Sequence, residues 1–236
     1  MIEIQNLIKH YNGAVVVDIQ ELLITKGETI GLVGNNGAGK TTLFRLMLDL
    51  IQATSGIVFS GGYDVAQSVT WKNYTSSFLD EGFLIEYLTP EEYFYFVGSL
   101  HDLNAAQVDQ ELETYKDFFN DEILNRKKYI RDLSKGNQCK VGVVAALIQN
   151  PEVLLLDEPF ANIDPSTQIR LKTIIKNTTE VKPITTIISS HDLNHITDVS
   201  DRILLMEKGK IIKDIKTSSN TLGELEDYFS VINRNN

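Results

Sequence analysis

The run Gly34-Asn35-Asn36-Gly37-Ala38-Gly39-Lys40-Thr41 constrains this chain more than any other feature, because it satisfies G-x-x-x-x-G-K-[ST] at every fixed position. Ahead of it, Thr29-Ile30-Gly31-Leu32-Val33 is a short apolar run of the kind that forms a buried parallel strand. Behind it, the residues from Thr42 to Leu48 place Leu43, Phe44, Leu46 and Met47 at helical spacing. Strand, glycine loop and helix in that order make a phosphate cradle. The glycines let the backbone curl so that successive N–H groups point at phosphate oxygens. The helix that follows presents the positive end of its dipole to the same anion. Lys40 reaches the terminal phosphates, and Thr41 offers a hydroxyl to Mg²⁺. A chance glycine turn would lack the strand before it and the helix after it.

A second run supplies acids. Val153-Leu154-Leu155-Leu156-Asp157-Glu158 reads as a buried strand with two carboxylates at its C-terminal end. In parallel sheets ligands bind outside the carboxyl ends of the strands, which puts this pair beside the phosphate loop. Asp157 suits the Mg²⁺ shell, and Glu158 suits orienting or deprotonating an attacking water. Taken alone, the pair would read equally well as a solvated acidic turn; the glycine loop requires such an acid nearby.

Composition narrows the partners. With 236 residues, 42% hydrophobic and 23% charged, the chain is long enough for one large domain and ordinary for a globular protein. Its net charge of −10 disfavours general nucleic-acid binding, since phosphate backbones are repelled. Cys139 is the single cysteine, so no intrachain disulfide forms. The N-terminus has neither a basic start nor a long apolar stretch, so no signal peptide is expected. The longest apolar run, 141–148, is far short of the ~20 residues of a spanning helix. If the chain works at a membrane, another chain supplies the membrane part.

With those motifs in place, the sequence resembles the nucleotide-binding subunit of an ABC (ATP-binding cassette) transporter, over residues 11 to about 215. The distinguishing segment is Leu133-Ser134-Lys135-Gly136-Asn137-Gln138, similar to the family signature L-S-G-G-Q and lying ahead of the acidic strand. The resemblance implies that Ser134 and the Gly136 N–H contact the γ-phosphate of ATP held by the opposite protomer of a head-to-tail dimer. Ser134 also suits a plain helix N-cap. Lys135 replaces the first glycine of the signature and Asn137 its glutamine, while the serine and second glycine remain. Tyr11 matches the aromatic that stacks on adenine, a position that is otherwise core or surface. The run from Ala161 to Asp164 resembles the D-loop that couples two ATP sites, although Asp164 before Pro165 is also a good helix cap. His191 matches the switch histidine on the γ-phosphate. His10, His101 and His195 match nothing and receive no role.

One position departs from the family. Where a glutamine normally serves Mg²⁺ and the attacking water, this chain carries Asp80, and no glutamine lies between Ser68 and Gln107. Asp80 is therefore a candidate metal ligand, with a solvated loop acid as the alternative, and it leans the reading toward export. In the aromatic stretch that follows, Phe83, Leu84 and Tyr87 are candidates for a groove that receives a helix of the membrane subunit, while Phe94 and Phe96 are expected in the core.

The expected fold is α/β: a P-loop NTPase core with a mainly parallel sheet, an N-terminal antiparallel β subdomain and an inserted helical lobe. Residues 1–77 and 151–220 are assigned to the core, 78–150 to the lobe, and 221–236 to a C-terminal helix and tail. The expected function is ATP binding and hydrolysis with Mg²⁺, driving a separate integral-membrane permease from the cytoplasmic face of the membrane. The chain would pair as a homodimer or with a paralogous ATPase. A non-transport ATPase of the same superfamily acting on a soluble assembly, and a phosphate-loop kinase, are the competing readings. The first usually carries two cassettes or long coiled coils, and the second would not explain the signature segment.

Overall fold

The computed structural model describes residues 1–79 and 83–234, the side chains of 229–234 excepted. Two strands open the chain, β1 (Ile2–Tyr11) and β2 (Ala14–Ile24), joined by an Asn12-Gly13 turn with both residues at positive φ. In β1 the buried positions run Ile2, Ile4, then Leu7, a change of phase that period two alone forbids. The cause is a bulge: Asn6 sits at φ 48°, and the register against the neighbouring strand shifts between Gln5 and Ile8.

Next come β3 (Thr29–Val33) and α1 (Lys40–Met47), separated by the glycine loop, then β4 (Ser55–Ser60), β5 (Tyr63–Asp64) and β6 (Thr75–Phe78). A helical stretch follows, with α2 (Pro90–Ser99), α3 (Ala105–Thr114), α4 (Lys116–Phe119) and α5 (Lys135–Leu147). Both α2 and α3 begin in reciprocal capping boxes, Thr89 with Glu92 and Asn104 with Gln107. The chain ends through β7 (Val153–Leu156), α6 (Pro165–Val181), β8 (Thr185–Ser190), α7 (Leu193–Val199), β9 (Arg202–Glu207), β10 (Lys210–Lys216) and α8 (Thr221–Arg234).

Two sheets result. The four-stranded one is antiparallel, in the order β2-β1-β4-β5. The six-stranded one runs β10-β9-β3-β8-β7-β6, with five parallel strands and β10 antiparallel at the edge. The chain is thus an α/β fold of the expected class. Strands β3, β7 and β8 are buried at every position, as the uninterrupted apolar runs of β3 and β7 require. Their alternate side chains feed two cores. Leu154 and Leu156 of β7 face the helices with Phe94, Phe119 and Val144, while Val153 and Leu155 face Ile4, Phe44 and the antiparallel sheet.

Of the two phenylalanines expected in the core, Phe94 and Phe96, only the first is there. Phe94 is fully buried, but Phe96 is 43% exposed. Residues two apart on an α-helix point about 200° apart around its axis, so both cannot face one core. Phe83 and Tyr87 are exposed and Leu84 packs partly against the helical core. Among the described residues no helix is long and apolar enough to cross a membrane.

Candidate functional site

Strands β3, β8 and β7 are consecutive neighbours, so their carboxyl ends deliver three segments to one edge of the sheet. The glycine loop leaves β3, the segment 191–192 leaves β8, and Asp157 and Glu158 leave β7. The loop is held tightly from behind. Gly39 lies at φ 109°, and a Cβ there would stand 2.6 Å from the Val16 carbonyl oxygen, so only glycine fits. The same contact brings the β1–β2 hairpin, and with it Tyr11, onto the loop's side of the molecule. Tyr11 is exposed, and the Lys9 ammonium lies 4.9 Å from its ring centroid.

Lys40 is buried, and its ammonium donates to the Gly34 carbonyl at 2.7 Å and pairs with Glu158 Oε1 at 3.3 Å. The other carboxylate oxygen of Glu158 faces His191 Nδ1 at 2.9 Å. Glu158 itself occupies the left-handed region at φ 49°, uncommon for a residue with a side chain. Its backbone is fixed there by an N–H donated to Ser189 Oγ at 2.9 Å. The Ser189 hydroxyl in turn donates to Asp157 Oδ1, and Asp157 Oδ2 accepts from the Thr41 hydroxyl at 2.7 Å. Ser189 thus clamps the acid pair from the intervening strand. Sequence reasoning gave it no role; the signal was a hydroxyl at the end of a buried strand, two residues ahead of His191.

A hydroxyl and a buried carboxylate in contact are the hard oxygen donors that Mg²⁺ takes, so Thr41 and Asp157 fit that ion chemically. Asp80 lies outside the described residues. Asn35, Asn36 and Gly37 are exposed on the crest of the loop, while Gly34 and Ala38 are buried; Thr42 lies in the first turn of α1 and is half-buried.

The signature segment stands elsewhere. Ser134 is the N-cap of α5 and its Oγ accepts from Asn137 N at 3.2 Å, leaving the hydroxyl proton free to donate outward from an exposed position. Gly136 lies against the D-loop-like turn, where a Cβ would come 2.6 Å from the Asn162 carbonyl oxygen. Asp164 caps α6, accepting from Thr167 N at 3.0 Å and from the hydroxyls of Ser166 and Thr167, which holds its carboxyl well below the usual carboxylate range. Among the described residues, no hydrogen bond or ion pair joins Ser134, Gly136 or Asp164 to residues 34–41. The contacts thus tie the glycine loop, Asp157, Glu158 and His191 into one cluster, while Ser134 and Gly136 pack at the start of α5 against the turn at 161–164.

Residues 17–161 match the ABC transporter family model. The methionine import ATP-binding protein MetN 1 of Oceanobacillus iheyensis is 34% identical over 92% of this chain and 67% of its own length. The bacitracin transport ATP-binding protein BcrA of Enterococcus faecalis is 30% identical over 92% of this chain and 70% of its own. Among solved structures, the ATP-binding cassette MJ0796, a dimer in a post-hydrolysis state bound to ADP and Pi, superposes with a TM-score of 0.83 over 93% of this chain and 100% of that one, at 20% identity.

Proposed function

This chain belongs to the ABC transporter family as an ATP-binding subunit, and we propose that it hydrolyses ATP to drive a separate integral-membrane permease from the cytoplasmic face of the membrane. The observation that carries this reading is the Glu158 carboxylate, placed between Lys40 and His191 beside the Thr41–Asp157 pair. A triphosphate in the loop brings more negative charge to Lys40 than one carboxylate does, so it competes for the ammonium and frees Glu158 Oε1 for water. Glu158 accepts a proton from that water as its oxygen bonds to the γ-phosphorus, and the bond from phosphorus to the bridging oxygen breaks to release ADP. His191 and Lys40 stabilise charge on the transferring phosphoryl group. Mg²⁺, held by Thr41 and Asp157 and in our reading also by Asp80, would draw charge from the phosphate oxygens.

Since Ser134 and Gly136 make no hydrogen bond or ion pair with the loop of their own chain among the described residues, a complete site in this reading takes them from a second protomer, a homodimer mate or a paralogous ATPase, facing head to tail. That the MJ0796 cassette is dimeric supports the arrangement. The exposed Phe83 and Tyr87, with Leu84 beneath them, offer apolar anchors for a helix of the permease. Direction is read toward export from the acid at position 80; the relatives named include both a bacitracin transport and a methionine import protein.

The test is Glu158→Gln. It keeps the shape and loses the base, so hydrolysis should fall by about 100-fold or more while ATP still binds and holds the protein as a dimer in light scattering. A variant hydrolysing at the native rate would refute the role of Glu158. Co-purification with an integral-membrane chain, lost on Phe83→Glu, tests the coupling to transport separately.

A further inference from the structure

His195 stands where the segments bearing Glu158 and His191 meet. Its ring lies on that of Phe160, centroids 4.9 Å apart and 33° from parallel, and Phe160 is two residues beyond Glu158. Its Nε2 is 3.5 Å from Oδ2 of Asp192, the residue after His191 and the N-cap of α7. Phe160 is itself buried, and Gln168 of α6 donates to its carbonyl at 3.1 Å. Asp192 is tied at both ends, donating its N–H to Ser190 Oγ and accepting from Asn194 N. One side chain therefore touches the turn that carries the carboxylate and the turn that carries its histidine partner. The two turns line a cavity of about 320 Å³ together with Glu158, His191 and His195.

The imidazole suits this place only as the neutral ring. Nδ1 is enclosed and has no hydrogen-bond partner among the described residues, so a proton there would be an unpaired donor in a buried setting. The proton belongs on Nε2, facing Asp192. The charged and titratable groups around it are Asp192 and Asp198 at the cap and end of its own helix, His191 just ahead of that cap, Lys172 from α6, and Glu158 across the cavity.

We propose that His195 is a positioning residue for ATP hydrolysis: wedged between Phe160 and Asp192, its neutral ring sets the spacing between the segment bearing Glu158 and the segment bearing His191. The inference rests on the reading that those two residues serve hydrolysis. A shift of either segment would lengthen the 2.9 Å contact between them, and displacements of that order are costly to a reaction that depends on an aligned water.

The test compares steady-state hydrolysis by the purified chain carrying His195→Ala, His195→Phe or Glu158→Gln. His195→Ala should lower kcat about tenfold, with KM for ATP and the affinity for a fluorescent ATP analogue within about twofold of native. His195→Phe, which keeps the stacked ring but cannot titrate, should recover at least about half of the native kcat and lose less of it than native between pH 7 and 5.5. Native kcat in His195→Ala overturns the proposal. So does a loss of nucleotide affinity along with kcat, a His195→Phe no better than His195→Ala, or an unchanged acid limb. Full activity in Glu158→Gln would instead remove the hydrolytic reading itself, whatever His195 does.

Discussion

Glu158 and His191 meet at 2.9 Å across the gap between the carboxyl ends of β7 and β8, carboxylate oxygen to Nδ1. The contact joins two strand ends that are 33 residues apart in sequence, uses only one ring nitrogen, and leaves His191 exposed. A histidine so placed can hold the carboxylate and still address a phosphate oxygen. His191→Ala should therefore lower hydrolysis by about 10- to 100-fold with little change in ATP affinity. Rates and binding measured on the same preparation decide it; equal losses in both would mean that His191 serves binding.

How much of this was legible beforehand varies by element, for physical reasons. Strands β3 and β7 were readable to the residue because a strand buried on both faces must be apolar throughout. The stretch Thr75-Ser76-Ser77-Phe78 gave no such signal, yet it forms β6, because the edge of the sheet pairs it with β7 and Gln149 satisfies the buried Ser76 hydroxyl at 2.8 Å. The candidate site divides the same way. Residues within one motif, such as Lys40 and Thr41, announce themselves by fixed spacing. Ser189 and His195 act through contacts between segments that only the tertiary fold creates.

The Thr41–Asp157 contact makes a separable prediction about metal. Thr41→Val removes the hydroxyl and keeps the volume, so the fold should persist. The Mg²⁺ concentration for half-maximal hydrolysis should rise about tenfold, as expected for loss of one oxygen donor. A Mg²⁺ titration of hydrolysis, with circular dichroism as the check on folding, reads this directly. An unshifted titration would place the metal away from Thr41.

Gly136 sits near the start of α5, where Gly→Ala would ordinarily stabilise a helix by up to about 1 kcal/mol. Here the added Cβ meets a backbone oxygen, that of Asn162 at 2.6 Å, which has no rotamer to give way. Overpacking of that kind costs about 1–3 kcal/mol, so the clash outweighs the propensity and Gly136→Ala should be destabilising. Urea unfolding gives the sign. A stabilised variant would mean that the turn at 161–164 yields easily.

Phe94 and Phe96 share a helix and differ in burial, 0% against 43% exposed. Phe94→Ala should cost about 3–5 kcal/mol, because the fully buried ring packs on that of Phe119, centroids 5.8 Å apart, and its removal leaves a cavity. Phe96→Ala should cost no more than about 1 kcal/mol. Matched denaturant curves with equal m-values would establish the contrast, and comparable losses would put Phe96 back in the core.

His195 also predicts how stability responds to acid. Burial pushes its imidazole below the ordinary histidine value, with the Lys172 ammonium adding to that and Asp192 and Asp198 opposing it. The unfolded chain, with an ordinary histidine near about 6.5, then takes up a proton more readily than the folded one. The contribution of the neutral ring is therefore complete above that value and is lost as the pH falls from it toward the lower folded value. His195→Phe has no such proton to gain. Between pH 7.5 and 5.5 the native protein should lose more stability than the variant, read from denaturation curves of both at each pH. Parallel losses over that range would mean that His195 takes up its proton in the folded protein as freely as in the unfolded chain, and the neutral wedge between Phe160 and Asp192 would have no support.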